Sequence, residues 1–96
     1  MVPSHRPRDF VRIRKKLRLT QERMAQLLGV SFVSVNRWEQ GHSAPLRAVL
    51  DLYAALDAAL NVGHAAEDIV EKASSDRRLF LRNLFGMAYG SLEANS

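Results

Sequence analysis

"QERMAQLLGVSFVSVNRWEQ", residues 21–40, decides how this 96-residue chain folds. Two short helical patterns, 21–28 and 32–40, meet at Gly29, and Gly41 closes the second. Helices joined by so tight a turn must touch beside it, where only a small side chain fits, and Ala25 stands there. The turn itself needs a residue that tolerates positive φ, which Gly29 supplies. Met24, Leu28, Val30, Val35 and Trp38 provide the bulk for the buried side. Thr20 and Ser31 are good N-caps for the two helices, because their hydroxyls can accept the unpaired N–H groups of a first turn. Ala25, Gly29, Val35 and Trp38 fall at positions 5, 9, 15 and 18 of the 20-residue unit, a set that a chance helical hairpin seldom offers.

The second helix has two unlike faces. At helical spacing, Phe32, Val33, Asn36, Arg37 and Gln40 share one side, with Val35 and Trp38 opposite. A surface helix normally buries one apolar stripe and wets the rest. A face of ring, valine, amide and guanidinium suits neither the core nor plain water.

Outward from this unit the periodicity remains helical, without β-branched alternation or hairpin signals. A helix is expected over 8–18, with Pro7 at its start and Phe10, Ile13 and Leu17 on one stripe. "HSAP", 42–45, reads as a loop, with Pro45 at the first position of a fourth helix that ends near Leu60. "NVGH" breaks the chain. A short helix over about 65–73 follows, acidic at its start, and then one over about 77–92, capped by Asp76. The expectation is an all-α protein, a compact bundle of five to six helices containing a helix-turn-helix. Residues 1–62 form the first unit and 63–96 a helical extension.

Charge is divided along the chain. Residues 1–47 carry 10 Lys/Arg against 3 Asp/Glu, and residues 48–96 carry 4 against 7. Such polarity suits a polyanion at one end and another partner at the other, although a solvated basic face accounts for it equally well. Without cysteine there is neither a disulfide framework nor a thiolate metal site. His5, His42 and His64 lie far apart with no metal-ligand spacing, so no metal and no cofactor is expected. No nucleophile elbow or P-loop supports an enzyme. The N-terminus lacks a signal-peptide core, and no run approaches the roughly 18 apolar residues of a membrane span. The chain is therefore expected in the cytoplasm.

Residues 8–60 resemble the phage-repressor-like (lambda-repressor-like, or Xre) helix-turn-helix family. "LTQERMAQLLGVS" is similar to its second helix and turn, and "SVNRWEQGHSAP" to its recognition helix and following loop. The resemblance implies a sequence-specific DNA-binding transcriptional regulator, a repressor, with helix 32–40 in the major groove of double-stranded DNA and the protein at the nucleoid when bound. It implies base contacts from Phe32, Val33, Asn36 and Arg37. Arg37 suits guanine O6 and N7, Phe32 and Val33 suit thymine methyls, and Asn36 suits adenine or a phosphate. The alternative is that Phe32 and Val33 fold back onto the protein. Phosphate contacts are implied for Gln21, at a helix start where N–H groups favour an anion, and for Ser31, Ser34, Gln40, His42, Ser43 and Arg47. Alanine stands at position 44, which is often basic in relatives. The family also often pairs an arginine of the first helix with the glutamate of "WE", so an Arg14–Glu39 salt bridge under Trp38 is expected. It would fix helix orientation more than add stability.

The last helix, "RRLFLRNLFGMAYGSL", has a wide apolar stripe, which points to a homodimer through residues 77–92. Two further readings stay open. The C-terminal helices bind a protein partner such as a toxin, making the chain an antitoxin or adaptor that uses DNA for autoregulation, or they pack on their own bundle.

Overall fold

The computed structural model describes residues 6–75 and 86–89, and all regular structure among them is helical. Five helices follow in order: α1 Pro7–Lys16, α2 Gln21–Leu28, α3 Phe32–Gln40, α4 Arg47–Val62 and α5 Ala66–Ser75. Residues 86–89 are also helical; the rest of the helix expected over 77–92 lies outside the described residues.

Local chemistry accounts for the bounds of α2 and α3. The Thr20 hydroxyl accepts the Arg23 N–H, and the Ser31 hydroxyl accepts the Ser34 N–H. Each cap satisfies a donor that a helix leaves unpaired in its first turn. At the other ends, Gly29 (φ 75°) and Gly41 (φ 78°) turn left-handed, and the next N–H reaches back five residues, Val30 to Ala25 and His42 to Arg37. Gly63 ends α4 likewise, with the His64 N–H on the Ala59 carbonyl. This double-bonded ending satisfies carbonyls that would otherwise be left without donors.

Several helix boundaries differ from the sequence reading. The first helix closes at Lys16 and not 18, because Arg18 is left-handed (φ 61°) and the Leu19 N–H returns to Arg14. It is the same ending as in α2, α3 and α4, made without glycine. Pro45 is not the first residue of α4. Leu46 remains extended (ψ 159°), so the helix begins at Arg47, and it runs on to Val62 because nothing halts it before Gly63. The fifth helix starts one residue later than expected, at Ala66, and runs two residues further, to Ser75.

One core joins all five helices. Phe10, Ile13 and Leu17 from α1 and its end meet Met24, Ala25, Leu27 and Leu28 of α2. Val35 and Trp38 of α3 join them, with Leu50, Tyr53, Ala55, Leu56 and Ala59 of α4. Ile69 and Ala73 of α5 belong to the same cluster, as does Ala88. Within the described residues, α5 packs on both α4 and α2. Tyr53 lies at the centre, its ring 4.6 Å from Phe10 and 6.4 Å edge-on from Trp38. Its hydroxyl is buried with no hydrogen-bond partner among the described residues. Burial pushes the Tyr53 hydroxyl pKa well above that of an ordinary tyrosine; the nearby Glu39 carboxylate adds to the shift and Arg14 partly counters it. Trp38 and Val35 hold the rear of α3 to this core. Truncating a buried aromatic of this kind costs about 3–5 kcal/mol.

Candidate nucleic-acid interface

With its rear seated, α3 turns the other face outward. Phe32 is 45% and Val33 61% exposed, so neither folds back into the core. Arg37 and Gln40 are exposed, and Asn36 is half-buried between α3 and α2. No described acidic side chain pairs with Arg37. Its guanidinium is thus open to an incoming acceptor, beside two apolar groups that water cannot satisfy.

The angle of α3 is set by one arginine. Arg14 of α1 donates from Nε to Glu39 Oε2 at 2.7 Å and from Nη2 to Glu39 Oε1 at 3.0 Å, a two-pronged pair. Its third edge, Nη1, donates to the Leu19 carbonyl at 2.9 Å. One planar group therefore ties α1, the connection to α2, and α3, a task for which lysine lacks the geometry. The side chains are 14% and 5% exposed, so the pair is largely shielded from solvent. The hydrogen bond to Glu39 raises the Arg14 pKa above its usual value, although burial opposes it.

A chain of amides continues from this ion pair. Gln21 Nε2 donates to Glu39 Oε1 at 2.9 Å and reaches Asn36 Oδ1 at 3.4 Å. Gln40 Nε2 donates to the same Asn36 oxygen at 3.0 Å. The Asn36–Gln40 contact follows the i, i+4 spacing of a helix and is legible in sequence. The Gln21 contacts depend on how α2 crosses α3, which no spacing reveals. Gln21 is thus occupied through its side-chain amide, while its backbone N–H stands at the positive end of α2.

The remaining candidates divide. The Ser31 hydroxyl donates to Ser34 Oγ at 2.9 Å, so these two side chains form one polar patch at the start of α3. His42 and Ser43 are exposed in the loop after α3, and Arg47 is exposed at the start of α4. Arg47 meets Asp51 at 3.4 Å, one turn on, with both side chains more than half exposed. Arg12 is engaged elsewhere: it grips Asp57 of α4 with two nitrogens at 2.9 and 3.2 Å and lies 3.5 Å from Asp9. These contacts fasten α1 to α4 and raise the Arg12 pKa, the Asp57 hydrogen bond most of all. Sequence spacing gave no sign of this pair.

Among the described residues no group of His, Asp and Glu could hold a metal ion. Nor is any helix there long and apolar enough to cross a membrane. A separate groove of about 360 Å³ between α2 and α5, lined by Leu19, Arg23, Gln26, Leu27, Val70 and Ser74, shares no residue with the outward face of α3. The sequence pattern of a helix-turn-helix family matches residues 12–62, which reach from within α1 to the last residue of α4. No curated protein and no solved structure gives a match.

Proposed function

From the premise that the chain belongs to the lambda-repressor-like (Xre) helix-turn-helix family of DNA-binding regulators, we propose that it reads the major groove with α3 and represses transcription as a homodimer. The observation that carries this reading is the outward face of α3, where Phe32, Val33 and Arg37, unpaired among the described residues, stand exposed on a helix whose rear is locked by Val35, Trp38 and Glu39. The major groove offers a matching surface, with methyls, donors and acceptors side by side. Arg37 takes a guanine through O6 and N7, and Phe32 and Val33 lie against thymine methyls. The N–H end of α2 at Gln21, the Ser31–Ser34 patch, Gln40, His42, Ser43 and Arg47 take phosphates, which position the protein without selecting sequence.

Dimerisation follows from contact economy. A single module of this size makes few base contacts, and two modules on half-sites one helical turn apart multiply affinity. The segment assigned to this role, 77–92, lies outside the described residues except for 86–89, where Tyr89 is exposed. A neutral or acidic second half would leave the basic first half to face the polyanion.

Selection of bound sequences from a random DNA pool, at two salt concentrations, tests the reading. A palindromic consensus is expected. Arg37→Ala should abolish preference at one base pair per half-site, a loss of about 1–3 kcal/mol there. Arg47→Ala should weaken all sequences alike and lower the salt slope by about 1. An unchanged consensus with Arg37→Ala would remove Arg37 from the base-reading set.

A further inference from the structure

The hydrogen-bond chain behind α3 has a direction, and that direction reaches the DNA-facing side. A carboxylate can only accept. The Glu39 oxygens already accept from Arg14, so the Gln21 group facing Glu39 Oε1 is its NH2, at 2.9 Å. The same NH2 lies 3.4 Å from Asn36, and Gln40 Nε2 approaches Asn36 at 3.0 Å. The Gln21 NH2, held by Glu39, makes Asn36 turn its oxygen inward, because the flipped amide would set NH2 against NH2; Gln40 Nε2 then donates to the same oxygen. Both Asn36 protons are then left without a partner among the described residues, and its Nδ2 is not among the buried unpaired atoms.

We propose that Asn36 is a donor-only reader that recognises guanine, whose O6 and N7 both accept, and that Gln40 and Gln21 are positioning residues that hold it in this orientation. The proposal rests on the assignment of α3 to the major groove. It rules out the familiar asparagine–adenine pair, in which the amide oxygen must accept from adenine N6 while the NH2 donates to N7. That oxygen is already taken by two protein donors. The specificity of a half-buried residue is thereby fixed by a neighbouring charge pair, relayed through Gln21.

The test is the same random-pool selection, applied to the full chain and to Asn36→Ala, Gln40→Leu and Gln40→Glu. All three substitutions lie at half-buried or exposed positions on α3, and far-ultraviolet circular dichroism checks that each variant is folded. The unmodified chain should prefer guanine over adenine about tenfold at one base pair, distinct from the pair lost in Arg37→Ala, and Asn36→Ala should erase that preference. Gln40→Leu removes one of the two donors and should cut the preference to about threefold or less. Gln40→Glu sets a carboxylate beside Asn36 and should turn its NH2 inward, so that adenine or cytosine overtakes guanine at that pair only. Adenine at the Asn36-dependent pair of the unmodified chain, or a consensus indifferent to Asn36→Ala, would overturn the proposal while leaving groove reading by α3 intact. Failure of the unmodified chain to select any consensus would overturn both.

Discussion

Replacing Arg18 with glycine should make the protein more stable. Four helices end in the same left-handed turn, and three of them place glycine in it: Gly29, Gly41 and Gly63. The fourth places Arg18 at φ 61°. An L-residue with a Cβ costs about 1–2 kcal/mol in that conformation relative to glycine, because the Cβ crowds the following carbonyl. Glycine returns part of the gain, about 0.4–1 kcal/mol, through the greater freedom of the unfolded chain. The Arg18 side chain has little to lose, since the carboxylate it pairs with, Glu67, is 3.8 Å away with the two side chains 80% and 72% exposed. A pair so open to water contributes close to nothing. The net expectation is a gain of about 0.5–1 kcal/mol. For a domain of this size that raises Tm by roughly 2–8 °C. The assay is thermal unfolding followed by circular dichroism at 222 nm, with Arg18→Ala as the control. Alanine removes the same charge and length but keeps the Cβ, so it should leave Tm near that of the parent. Equal gains from glycine and alanine would place the effect in the lost charge, and a lower Tm for Arg18→Gly would refute the strain argument outright.

Other substitutions probe the rest of the frame. Glu39→Ala leaves the Arg14 guanidinium shielded without its partner and should cost about 2–4 kcal/mol in urea unfolding, whereas replacing both residues by a methionine–leucine pair should recover much of the loss. Arg14→Lys keeps the charge but cannot serve Glu39 and the Leu19 carbonyl together, so a loss of about 1–3 kcal/mol is expected in the same experiment despite the conservative exchange. Tyr53→Phe removes a buried hydroxyl that has no partner among the described residues, and stability should stay level or rise by up to about 1 kcal/mol; a clear loss would reveal a partner for that oxygen. The same variant carries a pH signature. With its folded pKa raised, Tyr53 keeps its proton after the unfolded chain has released its own near pH 10, so folding stability falls as pH climbs above about 10. Tyr53→Phe should flatten the alkaline limb of a stability–pH curve, and an unaltered limb would assign the loss to other groups. Gln21→Ala keeps the backbone N–H at the start of α2 but removes the amide that faces Asn36, so in the DNA selection it should relax the guanine preference at the Asn36 pair and leave the other positions unchanged.

The helix-turn-helix was legible because its punctuation is chemical and local. Thr20, Ser31, Gly29 and Gly41 each mark a helix end through their own side chain or lack of one, and the bounds of α2 and α3 follow from them. Where the marker was absent, the reading slipped. Arg18 gives no hint that it takes a glycine's conformation, so the expected end of α1 lies two residues too far on, and Pro45 suggests a helix start that the extended Leu46 postpones. The exposed front of α3 could be drawn from its spacing, since residues 32, 33, 36 and 37 share a side on any helix. The polarity of its asparagine could not. That depends on Gln21 reaching across from α2 to Glu39 and Asn36, contacts between residues 18 and 15 positions apart that exist only once the helices have crossed. The Arg12–Asp57 clasp, 45 positions apart, was hidden for the same reason.

The packing of Trp38 also makes the protein self-reporting. It is the single tryptophan of the chain, 8% exposed, on the reading helix but on the side away from its outer face, with the Tyr53 ring 6.4 Å away. Its emission therefore senses whether α3 is seated while lying away from the proposed DNA-reading face. Excited tyrosine at that distance passes its energy to the indole, so a seated helix emits as a shielded tryptophan whichever ring absorbs. An unseated one would shift to the red and recover tyrosine light. The dye-free optical signal divides losses of DNA binding into two kinds, those in which the reading helix has come away from its bundle and those in which it stays in place but can no longer recognise its site.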